Sequence, residues 1–204
     1  MKTVAVSQQV DAYPDRNERR DALDQRVIQF LLVAGYIPVP VPNGLCLNTS
    51  EGVLKRDAFD TWADRIQPQT VLLSGGNDIG ICHERDIIED WLLDYAEQHH
   101  CPVLGICRGM QMIGRWAGTE LKPVAGHVRT RHVLTGEISG EVNSYHNYAL
   151  CDCPDDYVVS AYSEDGIIEA ISHSYLSWEG WMWHPEREHS FRKKDIQRLQ
   201  SLFS

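Results

Sequence analysis

No stretch of this 204-residue chain approaches the roughly 18 uninterrupted apolar residues that a membrane-spanning helix needs. The opening MKTVAVSQQV lacks the charged-then-apolar pattern of a secretory signal, so the expected compartment is the cytoplasm. Basic charge is scarce: 19 Lys and Arg against 29 Asp and Glu give a net charge of -10 at pH 7. That balance weighs against the broad cationic face a nucleic-acid or anionic-membrane partner would require, and makes small molecules the expected partners. The six cysteines show no zinc-ribbon spacing, and in a cytosolic chain of this length they are expected as thiols. Cys151 and Cys153 stand one residue apart, not the two that let both sulfurs turn toward one ion, and read as a loop before Pro154. Repeats, low-complexity tracts and linker-like segments are also missing, so residues 1–204 are expected to form one domain.

What is present is an alternation of short β-branched runs with amphipathic helical segments, the pattern of parallel βαβ units with helices on both faces of a sheet. TVAVS (3–7), IPVPV (37–41), TVLLS (70–74) and PVLGI (102–106) read as strands, the second kept short or at an edge by its prolines. Residues 18–34 place Leu23, Val27, Phe30, Leu31 and Ala34 at helical spacing, with Gly35 as the stop. The stretch 57–66 reads as a short helix, and 84–100 as a longer one with Ile87, Ile88, Trp91, Leu92 and Tyr95 on its apolar stripe. After Gly118 the runs RHVLT, YVVSAY, GIIEAIS and GWMW are short and alternating, which predicts a smaller, partly antiparallel addition before a last helix over 191–203.

Within this frame VLGICRGMQMIGRWAG (103–118) passes from a buried strand through a cysteine flanked by Gly105 and Gly109 into a helix. Strand, Gly-x-Cys-x-Gly and helix together match a nucleophile elbow, in which the apex residue is strained and its neighbours must be small. The helix N-terminus beside Cys107 favours thiolate over thiol, and the Arg108 N–H is left to face an oxyanion. The alternative is a structural cysteine in a glycine-rich loop. A thiolate nucleophile needs a base and an orienter for that base. His184, in WHPERE after an apolar strand, has Glu186 two residues on, a spacing that lets both side chains point the same way.

Four separated stretches, LLSGGND (72–78), ERDIIEDWLLDYAEQHHCPVLGICRGMQ (84–111), VNSYHNYAL (142–150) and WMWHPERE (181–188), together resemble the class I glutamine amidotransferase family. Within it the chain is similar to the γ-glutamyl hydrolases of the γ-glutamyl-γ-aminobutyrate hydrolase (peptidase C26) type. The resemblance implies a three-layer α/β/α flavodoxin-like fold with a mainly parallel central sheet. It implies Cys107 as nucleophile, His184 as base and Glu186 as its orienter, with the N–H groups of Gly76 and Arg108 as the oxyanion hole. Gln111, together with the backbone around Ser144 and Tyr145 and the adjoining His146, would hold the glutamyl head. The chemistry it implies requires no metal and no organic cofactor.

The sequence departs from the family where many members carry His-His-Gln: here His146, Asn147 and Tyr148 stand. GHVRTRHVL (126–134) gathers His127, Arg129, Arg131 and His132 in an otherwise acidic chain. Two arginines alternating on a strand would face one side and suit a phosphate-bearing leaving group. A solvated strand face explains them equally well. The compact form with this arginine pair resembles the branch that hydrolyses γ-glutamyl-CDP-amidate, so the candidate substrates are that compound and γ-glutamyl-γ-aminobutyrate. Two other readings stay open: a glutaminase subunit passing ammonia to a synthase, and a catalytically silent γ-glutamyl-compound binder. A homodimer is compatible with each of the three.

Overall fold

The structure, a computed structural model, describes residues 1–48 and 54–204. Its strands are Thr3–Val6 (β1), Ile37–Pro40 (β2), Thr70–Leu73 (β3), Val103–Ile106 (β4), Val128–Gly136 (β5), Gly140–Tyr145 (β6), Tyr157–Tyr162 (β7), Ile168–His173 (β8) and Trp178–Trp181 (β9). Among the described residues these form one sheet in the order β6-β5-β7-β8-β9-β4-β3-β1-β2. From β2 to β9 neighbouring strands run parallel; from β9 to β6 they run antiparallel. The antiparallel addition is therefore no separate layer but the continuation of the same sheet. The proline-bearing β2 is indeed an edge strand, where a missing N–H costs no ladder bond.

Both faces of the parallel half are covered. The helices are Gln25–Ala34 (α1), Asp57–Ile66 (α2), His83–Gln98 (α3), Arg108–Trp116 (α4) and Lys193–Leu202 (α5). Alternate strand residues choose between two cores: Val4, Val6, Leu72, Leu104 and Ile106 pack with Phe30 and Leu31 of α1 and Leu199 of α5. Ala5, Val71, Leu73 and Val103 pack with Phe59 of α2, Ile88 and Leu92 of α3 and Ile113 of α4. That period of two sorts residues into a three-layer α/β/α flavodoxin-like fold. Each fully buried aliphatic or aromatic side chain contributes about 1.5–3 kcal/mol.

The helix expected over 18–34 is shorter than its periodicity suggests. Residues Glu18–Ala22 instead pair antiparallel with Gln9–Tyr13, around a turn in which Asn17 takes a left-handed φ of 49°. Asp24 caps α1 by accepting from the Arg26 N–H at 2.9 Å, and Gly35 ends it at φ 96°. A tertiary tie overrides the local pattern: Asn77 bonds the Val10 N–H and carbonyl at 2.8 and 3.0 Å, pinning the hairpin to the loop after β3.

The expected stripe of α3 is also offset. Its deepest face carries Arg85, Asp86, Ile88, Glu89, Leu92 and Leu93, so three charged residues lie inside beside the apolar ones.

Candidate active site

The C-terminal ends of three adjacent parallel strands, β3, β4 and β9, bring the predicted catalytic residues together. Open α/β sheets place their ligands at this edge. After β4 the chain turns through Cys107 with φ 51° and ψ -106°, a conformation that costs an L-residue energy and is held by its surroundings. The Cys107 N–H donates to the Trp181 carbonyl at 2.6 Å, tying the turn to the end of β9. Both flanking glycines are required by close approach. A Cβ on Gly105 would stand 2.5 Å from the Gly109 carbonyl carbon, and one on Gly109 would run into the Leu73 backbone of β3. α4 starts at once, so Cys107 sits at its N-terminus.

His184 follows β9 and is buried, close enough to Cys107 for the two side chains to interact electrostatically. Its Nδ1 and the Glu186 Oε1 are 2.6 Å apart across a short 3-10 turn. The carboxylate accepts, so Nδ1 carries the proton and Nε2 is left for chemistry. Burial works against a charged imidazole, but the Cys107 thiolate and the Glu186 carboxylate outweigh it, and the His184 pKa rises to about 9. The His184 ring is thus held as an imidazolium at neutral pH. The turn itself is anchored by Arg26, whose guanidinium donates to the Glu186 and Glu188 carbonyls at 2.7 and 2.6 Å.

Gly75 and Gly76 supply the third part. A Cβ on Gly75 would lie 2.6 Å from His184 Cε1, and Gly76 has φ 130°, where a side chain would strike Arg85 and Gln9. The buried Arg85 guanidinium donates to the carbonyls of Ser74 and Gly75 at 2.7 and 3.0 Å. In a trans peptide the N–H opposes the C=O, so the Gly76 N–H points away from Arg85.

Beneath this loop lies a buried ion network to which no sequence motif points. Glu89 takes Arg85 on one oxygen at 3.0 Å and Arg108 on the other, and Arg108 also reaches Asp86. Burial lowers the pKa of Arg85 to about 10 and of Arg108 to about 9, leaving both charged at neutral pH. Arg108 thus has its backbone at the elbow and its side chain locked below it.

Asn143 is a further residue whose role only the structure shows. Its side chain accepts from the His184 N–H at 2.9 Å and donates to the His184 carbonyl at 2.8 Å, so β6 clamps the histidine backbone. An asparagine bonding both backbone groups of another residue leaves no signal in sequence spacing.

The residues expected around the glutamyl head divide. Tyr145 is exposed and meets the His184 ring edge-on, with centroids 5.7 Å apart, while Arg187 lies over its face at 4.8 Å. Gln111 is buried on α4; its Nε2 donates to the Tyr148 carbonyl at 2.8 Å, and its Oε1 has no partner among the described residues. The Ser144 hydroxyl is engaged by the His127 carbonyl at 2.7 Å, which leaves only its backbone for a ligand. The His146 side chain is buried and engaged within the protein, its Nδ1 bonded to the Tyr148 carbonyl and its Nε2 facing His127 and Glu169.

The arginine pair also needs correction. A β-bulge separates Val128, which pairs with Tyr145, from Thr130, which pairs with Ser144. The extra residue is Arg129, at φ 57°, so the strict alternation that would align it with Arg131 is broken. Arg131 itself pairs with Glu141 at 3.1 Å and Glu188 at 3.2 Å. A cavity of about 310 Å³ reaches the histidine, lined by Gln9, Asp24, Gly75, His184, Glu186 and Arg187 among others.

Strained cysteine, imidazole, carboxylate and paired glycines meet at the C-terminal end of the parallel strands, an arrangement with the groups that acyl transfer through a thiolate needs. The chain belongs to the class-I glutamine amidotransferase family, whose sequence profile matches residues 49–201. Over 142 residues it is 34% identical to a γ-glutamyl-CDP-amidate hydrolase of Campylobacter jejuni, an alignment covering 67% of this chain and 70% of that one. It is 28% identical to anthranilate synthase component 2 of Methanothermobacter marburgensis, covering 71% and 79% of the two chains. In fold it is similar to a Thermoplasma acidophilum protein classed with the GMP synthases. Their TM-score is 0.71 at 20% identity, over 99% of this chain and 94% of the other. No described helix is long and apolar enough to cross a membrane.

Proposed function

We propose that the protein is a cysteine-dependent hydrolase that cleaves the γ-glutamyl amide bond of a small molecule and releases glutamate. The observation that carries this reading is the alignment of Cys107, on its strained turn, with His184 and the Glu186 carboxylate 2.6 Å from Nδ1. The Cys107 thiolate attacks the γ-carbonyl, and the N–H groups of Gly76 and Arg108 receive the oxyanion. The His184 imidazolium protonates the departing nitrogen, leaving a γ-glutamyl thioester. Neutral His184 then takes a proton from water, which attacks the thioester and frees glutamate and the thiolate.

The similarity to the Campylobacter jejuni protein supports γ-glutamyl-CDP-amidate, or a related phosphate-bearing amide, as the substrate. Because His184 must reach the leaving nitrogen, we place the leaving group in the cavity that His184 lines. Arg187 lines that cavity and has one long ion pair, to Glu186 at 3.8 Å, whereas Arg131 is paired with two carboxylates at 3.1 and 3.2 Å. Arg187 is therefore the cation we assign to the phosphate, in place of the Arg129 and Arg131 pair. A charge-assisted hydrogen bond of about 1.5–3 kcal/mol corresponds to roughly tenfold to a hundredfold in specificity.

The test compares a γ-glutamyl nucleotide amidate with γ-glutamyl-anilide, whose leaving group has no phosphate. Arg187→Ala should lower kcat/KM for the amidate alone. An equal loss on both substrates would remove the phosphate assignment while leaving the hydrolase reading intact. The similarity to anthranilate synthase component 2 supports a second reading, a glutaminase working for a synthase. Hydrolysis of glutamine but not of the amidate by the isolated chain would favour it.

A further inference from the structure

On the antiparallel half of the sheet, His127, His132, His146 and Glu169 converge, each offering a ligand atom within 4.8 Å of the others. They come from separate places: the approach to β5, β5 itself, the end of β6 and β8. Glu169 is fully buried, and one of its oxygens, Oε2, has no hydrogen-bond partner among the described residues. The same is true of His132 Nε2.

The outer bonds of two histidines fix where their protons are. His146 Nδ1 lies 3.0 Å from the Tyr148 carbonyl, and His127 Nε2 lies 2.9 Å from the Asp165 carboxylate. Both partners only accept, so both outer nitrogens donate. The inner nitrogens, His127 Nδ1 and His146 Nε2, therefore turn lone pairs toward one another at 3.2 Å. Each is also 3.2 Å from the Glu169 Oε1. Two lone pairs and a buried carboxylate oxygen in one equilateral triangle repel unless a cation lies among them.

A proton could serve one edge of that triangle, but it would leave His132 Nε2 and Glu169 Oε2 unmatched. The dimensions fit a metal better. Ligands at about 2.0–2.1 Å from a tetrahedral zinc ion stand roughly 3.3 Å apart, close to all three observed edges. An imidazole whose far nitrogen donates to a carboxylate or carbonyl is the usual outer support of a zinc ligand.

We propose that His127, His132, His146 and Glu169 bind one Zn²⁺ ion, with His132 turning inward as the fourth ligand. Four protein ligands close the coordination shell, so the ion is structural. It ties the ends of β5 and β6, the latter carrying Asn143 and Tyr145, to β8. The proposal is independent of the γ-glutamyl reading. Nothing in the sequence spacing announces it, because the ligands lie on separate elements.

The test is metal content. The native chain, and a Cys107→Ser form that keeps the active-site thiol out of the count, are loaded with Zn²⁺, dialysed against metal-free buffer and analysed by mass spectrometry for the metal. One ion per chain is expected in both, and Co²⁺ in its place should give the intense visible absorption of a tetrahedral site. Glu169→Gln should abolish retention. Because a buried substitution can unfold the chain, Asp165→Asn, at an exposed edge, provides the second variant: it should keep the native circular dichroism yet bind Zn²⁺ about 10–100-fold more weakly. A native chain that retains no stoichiometric Zn²⁺ would overturn the proposal and leave a shared proton as the cation. Retention that Glu169→Gln and Asp165→Asn leave unchanged would overturn it too, placing the ion elsewhere.

Discussion

The two halves of the sheet position their functional groups by different means. In the parallel half, the backbone does it: Gly105 and Gly109 let α4 press against β3, and the turn between strand and helix forces Cys107 outward. In the antiparallel half, side chains do it: Asn143 grips the His184 backbone, Ser144 reaches the His127 carbonyl, and His146 turns into a buried cluster. Backbone devices depend on residue types that cannot be exchanged, such as glycine at a close approach. Side-chain devices depend on partners far apart in sequence. The first kind should fail by steric collision when altered, the second by loss of one or two hydrogen bonds.

The largest effect should come where the halves meet. His184→Ala removes the base and should reduce kcat on the order of a millionfold, whereas Glu186→Gln, which removes only the orienter's charge, should cost about 10⁴-fold. Steady-state kinetics on a γ-glutamyl-anilide measures both. The pH profile sharpens the same point. The pKa of His184 is raised, so the imidazolium persists through neutral pH and disappears as pH climbs through about 9. The alkaline limb of kcat/KM should fall there, and in Glu186→Gln it should move to lower pH. A limb that stays in place would show that Glu186 does not stabilise the charged ring.

Below the elbow, Glu89→Ala should destabilise the fold by about 3–5 kcal/mol in denaturant titration, because it leaves Arg85 and Arg108 buried with half their compensation gone. In the antiparallel half, Asn143→Ala should cost about 1–3 kcal/mol by the same measurement, and should lower kcat as the His184 backbone loosens. Smallest of all, Arg131→Ala should cost about 0.2–1 kcal/mol, since its ion pairs are solvent-exposed. If Asn143→Ala proved as costly as Glu89→Ala, Asn143 would be holding more than the two hydrogen bonds to His184.

The same division explains what could be read in advance. The elbow was legible because glycines two residues either side of a cysteine, between an apolar run and a helix, have few other uses. The pairing of His184 with Glu186 was legible because it is local. Arg85, Asp86 and Glu89 were not, since charged residues at helical spacing ordinarily face solvent and only the fold shows that they face one another. The strand at Glu18–Ala22 was hidden by a helical periodicity that the distant Asn77 overrides through its bonds to Val10. The bulge at Arg129 was hidden because one inserted residue leaves the composition of a strand unchanged while reversing the face of every residue before it.

The central claim is that Cys107 carries the glutamyl group during turnover. Rapid quenching in acid during hydrolysis of a γ-glutamyl amide, followed by peptide mass spectrometry, tests it directly. The account predicts a mass increase of one γ-glutamyl group on the peptide containing Cys107, and no adduct and no turnover in Cys107→Ala. Turnover at the native rate in Cys107→Ala, or the adduct on any other residue, would contradict it.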